Sequence, residues 1–277
     1  MIYLNAEVIS GLGEDTFWTW IHREFPSSVF DEPAHLEECD VVLRYSTLGF
    51  LPVVGKQVAL CWELYPSMRD RFAVSSWDEK IAAVHEAARY ATYRTVGSTL
   101  TLPEYEKYGS VDIIPIGVDV DLFRPLDNKA ELRAKYGLPL DKEIGLWVGT
   151  AHPMKGYALL LEYARTHPEI HWVTICKTEH ESVQMPGATS FVHVPQQTSC
   201  ELINAADFFL STSLLQPYFM AEWEALACNI PMRLVGESGK EFIPSENPRD
   251  DVLRLGWDRP SVKKCWERFF TERGIAW

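Results

Sequence analysis

Apolar and polar positions along this chain fall into short runs of two alternating kinds. Met1–Leu4, Asp40–Tyr45, Gln57–Cys61, Tyr93–Val96 and Asp112–Gly117 are brief apolar stretches with the length and composition of strands. Between them stand segments of helical period: Phe17–Phe25, with Asp15 or Thr16 as its cap, and Asp78–Tyr90, where Ile81, Val84, His85 and Ala88 share a face. A second run of the same kind follows residue 120. It predicts helices at Ala130–Tyr136, Tyr157–Thr166 and Ser199–Ala206, and strands at Glu143–Val148, His171–Cys176, Ser190–Val194 and Asp207–Leu210. Ser261–Arg273 closes the chain as a helix with Val262, Cys265, Trp266 and Phe269 on one side. Strand–helix alternation argues for an α/β protein whose parallel sheets carry helices on both faces. Two such runs predict two domains, 1–120 and 121–258, with 259–277 packing back on the first.

One helix breaks the amphipathic rule. Met220-Ala-Glu-Trp-Glu-Ala-Leu-Ala-Cys228 is apolar on nearly every side, yet carries Glu222 and Glu224. Pro217 suits its first turn, Asn229 suits a left-handed close, and Pro231 forbids continuation. Glu224 has Met220, Ala227 and Cys228 as its helical neighbours, and a carboxylate so placed finds a partner or gives up its charge. That partner is either internal, a backbone cap or an arginine, or a ligand hydroxyl or amide. In parallel sheets ligands gather at the carboxyl ends of strands, which here carry Arg44, Tyr45, Ser46, Glu63 and Ser98.

Composition narrows the class. With 277 residues, 47% apolar and 23% charged, the chain has ample material for a core. Its net charge of −13 disfavours an unspecific grip on nucleic acid or an anionic membrane surface, and residues 1–118 are themselves acid-rich. The six cysteines form no C-x-x-C pair and sit beside apolar residues, as expected of buried free thiols in the reducing cytoplasm. No basic stretch precedes an apolar core at the N-terminus, and no apolar run reaches the ~20 residues of a membrane span. Gly11-x-Gly13 follows a strand but lacks the third small residue of a dinucleotide fingerprint, which argues against a Rossmann oxidoreductase. No clustered His/Cys ligands suggest a metal, and Asp119-x-Asp121 reads as a turn.

Three segments in order carry a family resemblance. Ile114-Pro-Ile-Gly-Val-Asp-Val-Asp-Leu-Phe-Arg-Pro125 resembles the interdomain signature of GT-B-fold glycosyltransferases of the group 1, retaining E-x7-E type, usually I-P-N-G-V-D-x-x-x-F-x-P. Trp147-Val-Gly149 through Lys155-Gly156 is similar to their F-V-G-R-x-x-x-x-K-G, and Gln216–Pro231 to their E-G-F-G-x-x-x-x-E-A-M-A-C-G-x-P. The resemblance covers residues 112–235 and implies two Rossmann-like domains facing a cleft, the C-terminal helix crossing back to the first. It implies transfer of a hexosyl or pentosyl group from a nucleoside-diphosphate sugar, with retention, without a metal and with no cofactor besides that donor. Lys155 would contact the diphosphate and Glu224 the ribose hydroxyls. Gly11 and Gly13 would admit the diphosphate, Pro217, Tyr218, Phe219 and Met220 would present amides to phosphates and sugar, and Val194 would lie beside the base. Lys155 and Gln216 hold the catalytic positions; Arg44, Tyr45, Glu63 and Ser98 lie on the acceptor side. The acceptor itself is unassigned: a glycan, lipid, small molecule or modified DNA base, the last suiting a phage-encoded enzyme. Two departures stand out. Thr150 replaces the arginine of the diphosphate site, with Arg44 and His152 as candidate substitutes, and Gln216 replaces the first glutamate of the pair. Both suit the alternative of a nucleotide- or sugar-binding protein that does not transfer.

Overall fold

In the computed structural model the chain divides into two units, residues 1–117 with 260–277, and residues 118–259. The structure describes residues 1–5, 13–30, 36, 38–48, 55–72, 77–176, 185–215, 220–237 and 246–277, with backbone alone at 13–16 and 65.

In the first unit β1 (Ile2–Asn5), α1 (Gly13–Glu24), β2 (Ser28–Phe30), β3 (Val41–Tyr45) and β4 (Lys56–Leu60) are followed by α2 (Tyr65–Phe72), α3 (Asp78–Tyr90), β5 (Tyr93–Val96), α4 (Leu102–Tyr105) and β6 (Asp112–Ile113). Every strand pair is parallel and the order is β2-β1-β3-β4-β5-β6. The order reverses between β1 and β3, where Asn5 pairs with Arg44. Such a reversal opens a crevice beyond the carboxyl ends of the two strands. Several details depart from the sequence pattern. α1 begins at Gly13, so Asp15 and Thr16 lie inside the helix rather than at its cap. β6 stops at Ile113 because Pro115 has no N–H for the ladder, and Val118 pairs instead with Asp258. β2 and α2 carry too few apolar positions to show a period.

The second unit runs α5 (Lys129–Lys135), β7 (Ile144–Val148), α6 (Tyr157–Thr166), β8 (His171–Cys176), β9 (Thr189–Val192), α7 (Gln196–Ala205), β10 (Phe208–Ser211), α8 (Met220–Ala227), β11 (Met232–Leu234) and α9 (Pro248–Arg254). Its parallel sheet has the order β11-β10-β7-β8-β9, so the reversal falls between β7 and β10. Alternate residues feed two cores. Ile144, Leu146, Val173, Ile175 and Phe209 pack with Leu226 on one face; Trp147, Trp172, Phe208 and Leu210 pack with Leu160 on the other. Gly145 leaves space for the second set, since a methyl there would stand 2.6 Å from Trp172 and 2.7 Å from Phe208.

The signature segment is fastened inside the second unit. Asp119 Oδ1 accepts the amides of Asp121 and Leu122 at 3.2 and 3.1 Å, and its Oδ2 accepts Arg259 Nη1 at 2.8 Å. Arg249 donates to the carbonyls of Val120, Phe123 and Ala227, tying this segment to the end of α8. The last helix, α10 (Arg259–Glu272), returns to the first unit. It buries Val262, Trp266, Phe269 and Phe270, and the ring centroids of Phe270 and Phe25 lie 5.4 Å apart. Cys265 is only half-buried on that helix. Among the described residues no helix is long and apolar enough to cross a membrane.

Candidate functional site

The two motif segments of the second unit leave the two strands that flank its reversal point. β7 ends at Val148 and runs through Gly149 and Thr150 into a 3-10 turn, Pro153–Lys155. His152 closes that turn: its Nδ1 accepts the Met154 amide at 3.2 Å, which places the ring proton on Nε2. Gly156 follows with φ 67°, and α6 starts at the next residue, leaving its N-terminal amides beside Lys155. Only glycine fits position 156, because a methyl would stand 1.8 Å from the Thr212 carbonyl oxygen.

From β10 the chain passes through Ser211, Thr212 and Ser213, all buried. The Leu214 amide donates to the Met154 carbonyl at 2.9 Å, and the Thr212 hydroxyl to the Lys155 carbonyl at 2.6 Å. Gly236, just beyond β11, presses on this exit from another side; a methyl there would lie 2.2 Å from the Ser213 carbonyl oxygen. Gln216, Pro217, Tyr218 and Phe219 lie outside the described residues. Met220 opens α8 half-buried against the core, and Asn229 ends the helix at φ 59°, the left-handed close its sequence predicts.

α8 separates its two carboxylates. Glu222 is 6% exposed and accepts the Ser211 hydroxyl at 3.0 Å. Glu224 keeps part of its surface accessible and has no hydrogen-bond partner among the described residues. Close packing pushes its pKa up to about 8; Arg259 pulls it down, while Glu222 and Cys200 push it further up. Val194 packs against the core edge, after a backbone turn in which His193 takes φ 50° and donates its amide to Cys176.

In the first unit the candidates cluster near the carboxyl edge of the sheet, and the structure pairs some of them. The Tyr45 hydroxyl donates to the Glu63 carboxylate, and the Tyr105 hydroxyl donates to the Glu63 carbonyl at 2.6 Å. Tyr45, Glu63 and Tyr105 are all buried. Arg44 spans the reversal point by donating to the Asn5 side chain and to the Leu48 carbonyl. The Ser98 carbonyl accepts the Thr101 hydroxyl at 2.9 Å where α4 begins. Gly11 lies outside the described residues, and Gly13 is the first residue of α1. Sequence reasoning missed Tyr105, Thr212 and Arg259. Each works through a contact distant in the chain, and none sits in a recognisable spacing.

No family model matches the chain. It is 28% identical over 143 residues to the D-inositol 3-phosphate glycosyltransferase of Mycolicibacterium paratuberculosis, covering 47% of this chain and 32% of that protein. The enzyme of the same name from Mycobacterium leprae is 30% identical over 136 residues, covering 44% and 32%. The chain thus matches about a third of the length of these curated relatives. Among solved structures, Anabaena HepE in complex with UDP-glucose aligns with a TM-score of 0.77 and 13% identity, over 98% of this chain and 99% of that one. Sucrose-phosphate synthase from Thermosynechococcus elongatus aligns at 0.74 with 16% identity, over 94% and 79%. At these identities the likeness is one of fold: two Rossmann-like, parallel-sheet units of the GT-B type, as the three signature segments predict.

Proposed function

We propose that this protein is a glycosyltransferase that moves a sugar from a nucleoside-diphosphate sugar to a hydroxyl acceptor, with retention and without a metal ion. The observation that carries the reading is Glu224. It is a carboxyl without a protein hydrogen bond among the described residues, on a helix next to the strand exit that clamps Lys155. Vicinal ribose hydroxyls would supply two donors to an ionised Glu224, replacing the water it has lost. Lys155, with the amides at the start of α6, would face the donor diphosphate and stabilise charge building on it as the sugar bond breaks. In the front-face course typical of retaining relatives, the acceptor oxygen attacks the sugar from the side the diphosphate leaves. The acceptor proton passes to a departing phosphate oxygen. Gln216 stands where the family has a glutamate and would offer its amide to the donor sugar. Arg44, Tyr45, Glu63 and Ser98 would lie on the acceptor side, in the first unit. UDP-glucose, bound in the HepE structure, is the first donor to try.

A second reading, a protein that binds the nucleotide without transferring, is favoured by Thr150. The half-buried threonine replaces a cation, and His152 uses Nδ1 to close the turn. A panel of UDP-, GDP- and ADP-sugars separates the two. Saturation at 100 times Kd stabilises a protein by about 2.7 kcal/mol, so the correct donor raises the melting temperature. Incubation with it then releases nucleotide, and Lys155→Ala and Glu224→Ala each slow release on the order of 100-fold, with Lys155→Ala melting near the parent temperature and Glu224→Ala melting no lower than the parent. Near-normal turnover in either variant would sink the transferase assignment. Tight binding with no donor cleavage under any acceptor selects the second reading.

A further inference from the structure

The backbone that carries Lys155 is held by a chain of buried hydrogen bonds that begins on β7 and crosses to the end of the adjacent β10. The Trp147 indole N–H donates to Thr212 Oγ1 at 2.9 Å, and the Thr212 hydroxyl donates to the Lys155 carbonyl at 2.6 Å. An indole nitrogen only donates and a carbonyl oxygen only accepts, so the hydroxyl proton has one direction to point. Trp147 is 2% exposed and Thr212 1%, so neither bond exchanges freely with water. The threonine has little freedom of its own. Its side chain is stiff at χ1, and its peptide is pinched between Gly156 and Gly236, where a methyl would stand 1.8 Å from the Thr212 carbonyl oxygen and 2.5 Å from its carbonyl carbon, respectively. Leu214 and Met154 add a second tie, backbone to backbone, two residues further along.

We propose that Thr212 is a positioning residue for Lys155: the Trp147–Thr212–Lys155 relay fixes the peptide from which the lysine projects, and so narrows the volume its ammonium samples. This rests on the reading of Lys155 as the diphosphate contact. A lysine ammonium is a point charge on a long flexible stem, so its placement depends on where its backbone is anchored. Removing the hydroxyl leaves the charge in the protein but loosens its aim. The ligand class that senses the change is the diphosphate, not the nucleoside.

The test compares UDP and uridine binding by calorimetry across the parent, Thr212→Val, Thr212→Ser, Lys155→Ala and the Lys155→Ala/Thr212→Val double variant. The Trp147 indole N–H resonance is followed by NMR. Valine keeps the shape and deletes the hydroxyl; serine keeps the hydroxyl. Thr212→Val is expected to weaken UDP about tenfold, the scale of one lost hydrogen bond to a buried group, and to leave uridine unchanged. It should also move the indole resonance. Thr212→Ser should restore both signals, and the double variant should bind UDP no more weakly than Lys155→Ala alone. Parent-like UDP binding by Thr212→Val overturns the proposal while a weak Lys155→Ala leaves the diphosphate reading standing. Losses that multiply in the double variant also overturn it, because Thr212 then acts independently of the lysine. Parent-like UDP binding by Lys155→Ala removes the premise and overturns both. Should Thr212→Val fail to fold, Trp147→Phe deletes the first donor instead and must weaken UDP but not uridine.

Discussion

A carboxyl with a pKa of about 8 is neutral where most carboxylates are charged, and that has consequences for Glu224 in both free and bound protein. In the unfolded chain the group ionises near its model value of 4.5; in the folded chain it holds its proton until about 8. Between those values the folded state binds more protons, so this residue's contribution to stability falls as pH rises, and the loss is complete above about 8. Glu224→Gln removes the titration. The variant should therefore melt above the parent at pH 8.5, with the gap closing toward pH 5, and yet bind nucleotide sugar more weakly. A gap independent of pH would mean that Glu224 is not the titrating group. Arg259, Glu222 and Cys200 face it and are unchanged in the comparison. Donor hydroxyls favour the ionised form, so binding near pH 7 should release a proton, read by titration in buffers of different ionisation enthalpy. That an acid on this helix matters was legible from its apolar neighbours. The family resemblance singled out Glu224; what holds Glu222 was not legible, because the Ser211 hydroxyl that reaches it is brought there by the fold.

Elements place these residues through close backbone approach, and glycine is the sensor of that approach. The Thr212–Ser213 peptide lies between Gly156 and Gly236. Gly236→Ala puts a methyl 2.2 Å from backbone oxygen, which must move, and overpacking of this kind costs about 1–3 kcal/mol. The expected result is a lower melting temperature together with weaker UDP binding, since the β10 exit also holds Lys155. Gly137→Ala is the control. Its φ of 66° strains an alanine, but no atom lies within 4 Å of the added methyl, so it should lose some stability and keep UDP affinity. Loss of UDP affinity in both variants would detach the effect from the Gly236 contact. Elements with strong periods were readable: α3, β5, α6 and β8 have the limits their patterns predict. β2, α2, β11 and α9 were not, being short or largely polar. They owe their conformation to neighbouring strands and helices rather than to a period of their own.

At the scale of the molecule each sheet reverses its strand order once, and the candidate residues gather beyond those reversals: Asn5, Arg44 and Tyr45 at β1 and β3, Lys155 and Thr212 at β7 and β10. The C-terminal helix belongs to the first unit although it follows the second in the chain. Trp266 is 0% exposed there, between Phe17 and Phe269, with ring centroids 6.4 and 5.5 Å away. Trp266→Ala should cost roughly 3–5 kcal/mol of stability by urea unfolding, on the scale of large-to-small changes in a core. Its effect on amide exchange should concentrate in residues 1–117; exchange raised equally throughout residues 118–259 would contradict the placement of α10. Local pattern was enough to show two strand–helix runs, the order of the signature segments and an apolar helix bearing acids, because hydrophobic period and residue spacing are properties of consecutive residues. It did not show that β10 lies beside β7, that Thr212 reaches Lys155, or that Glu222 rather than Glu224 receives Ser211. Those depend on hydrogen bonds and packing between residues up to 65 apart in the chain, such as Trp147 and Thr212, which no local period encodes.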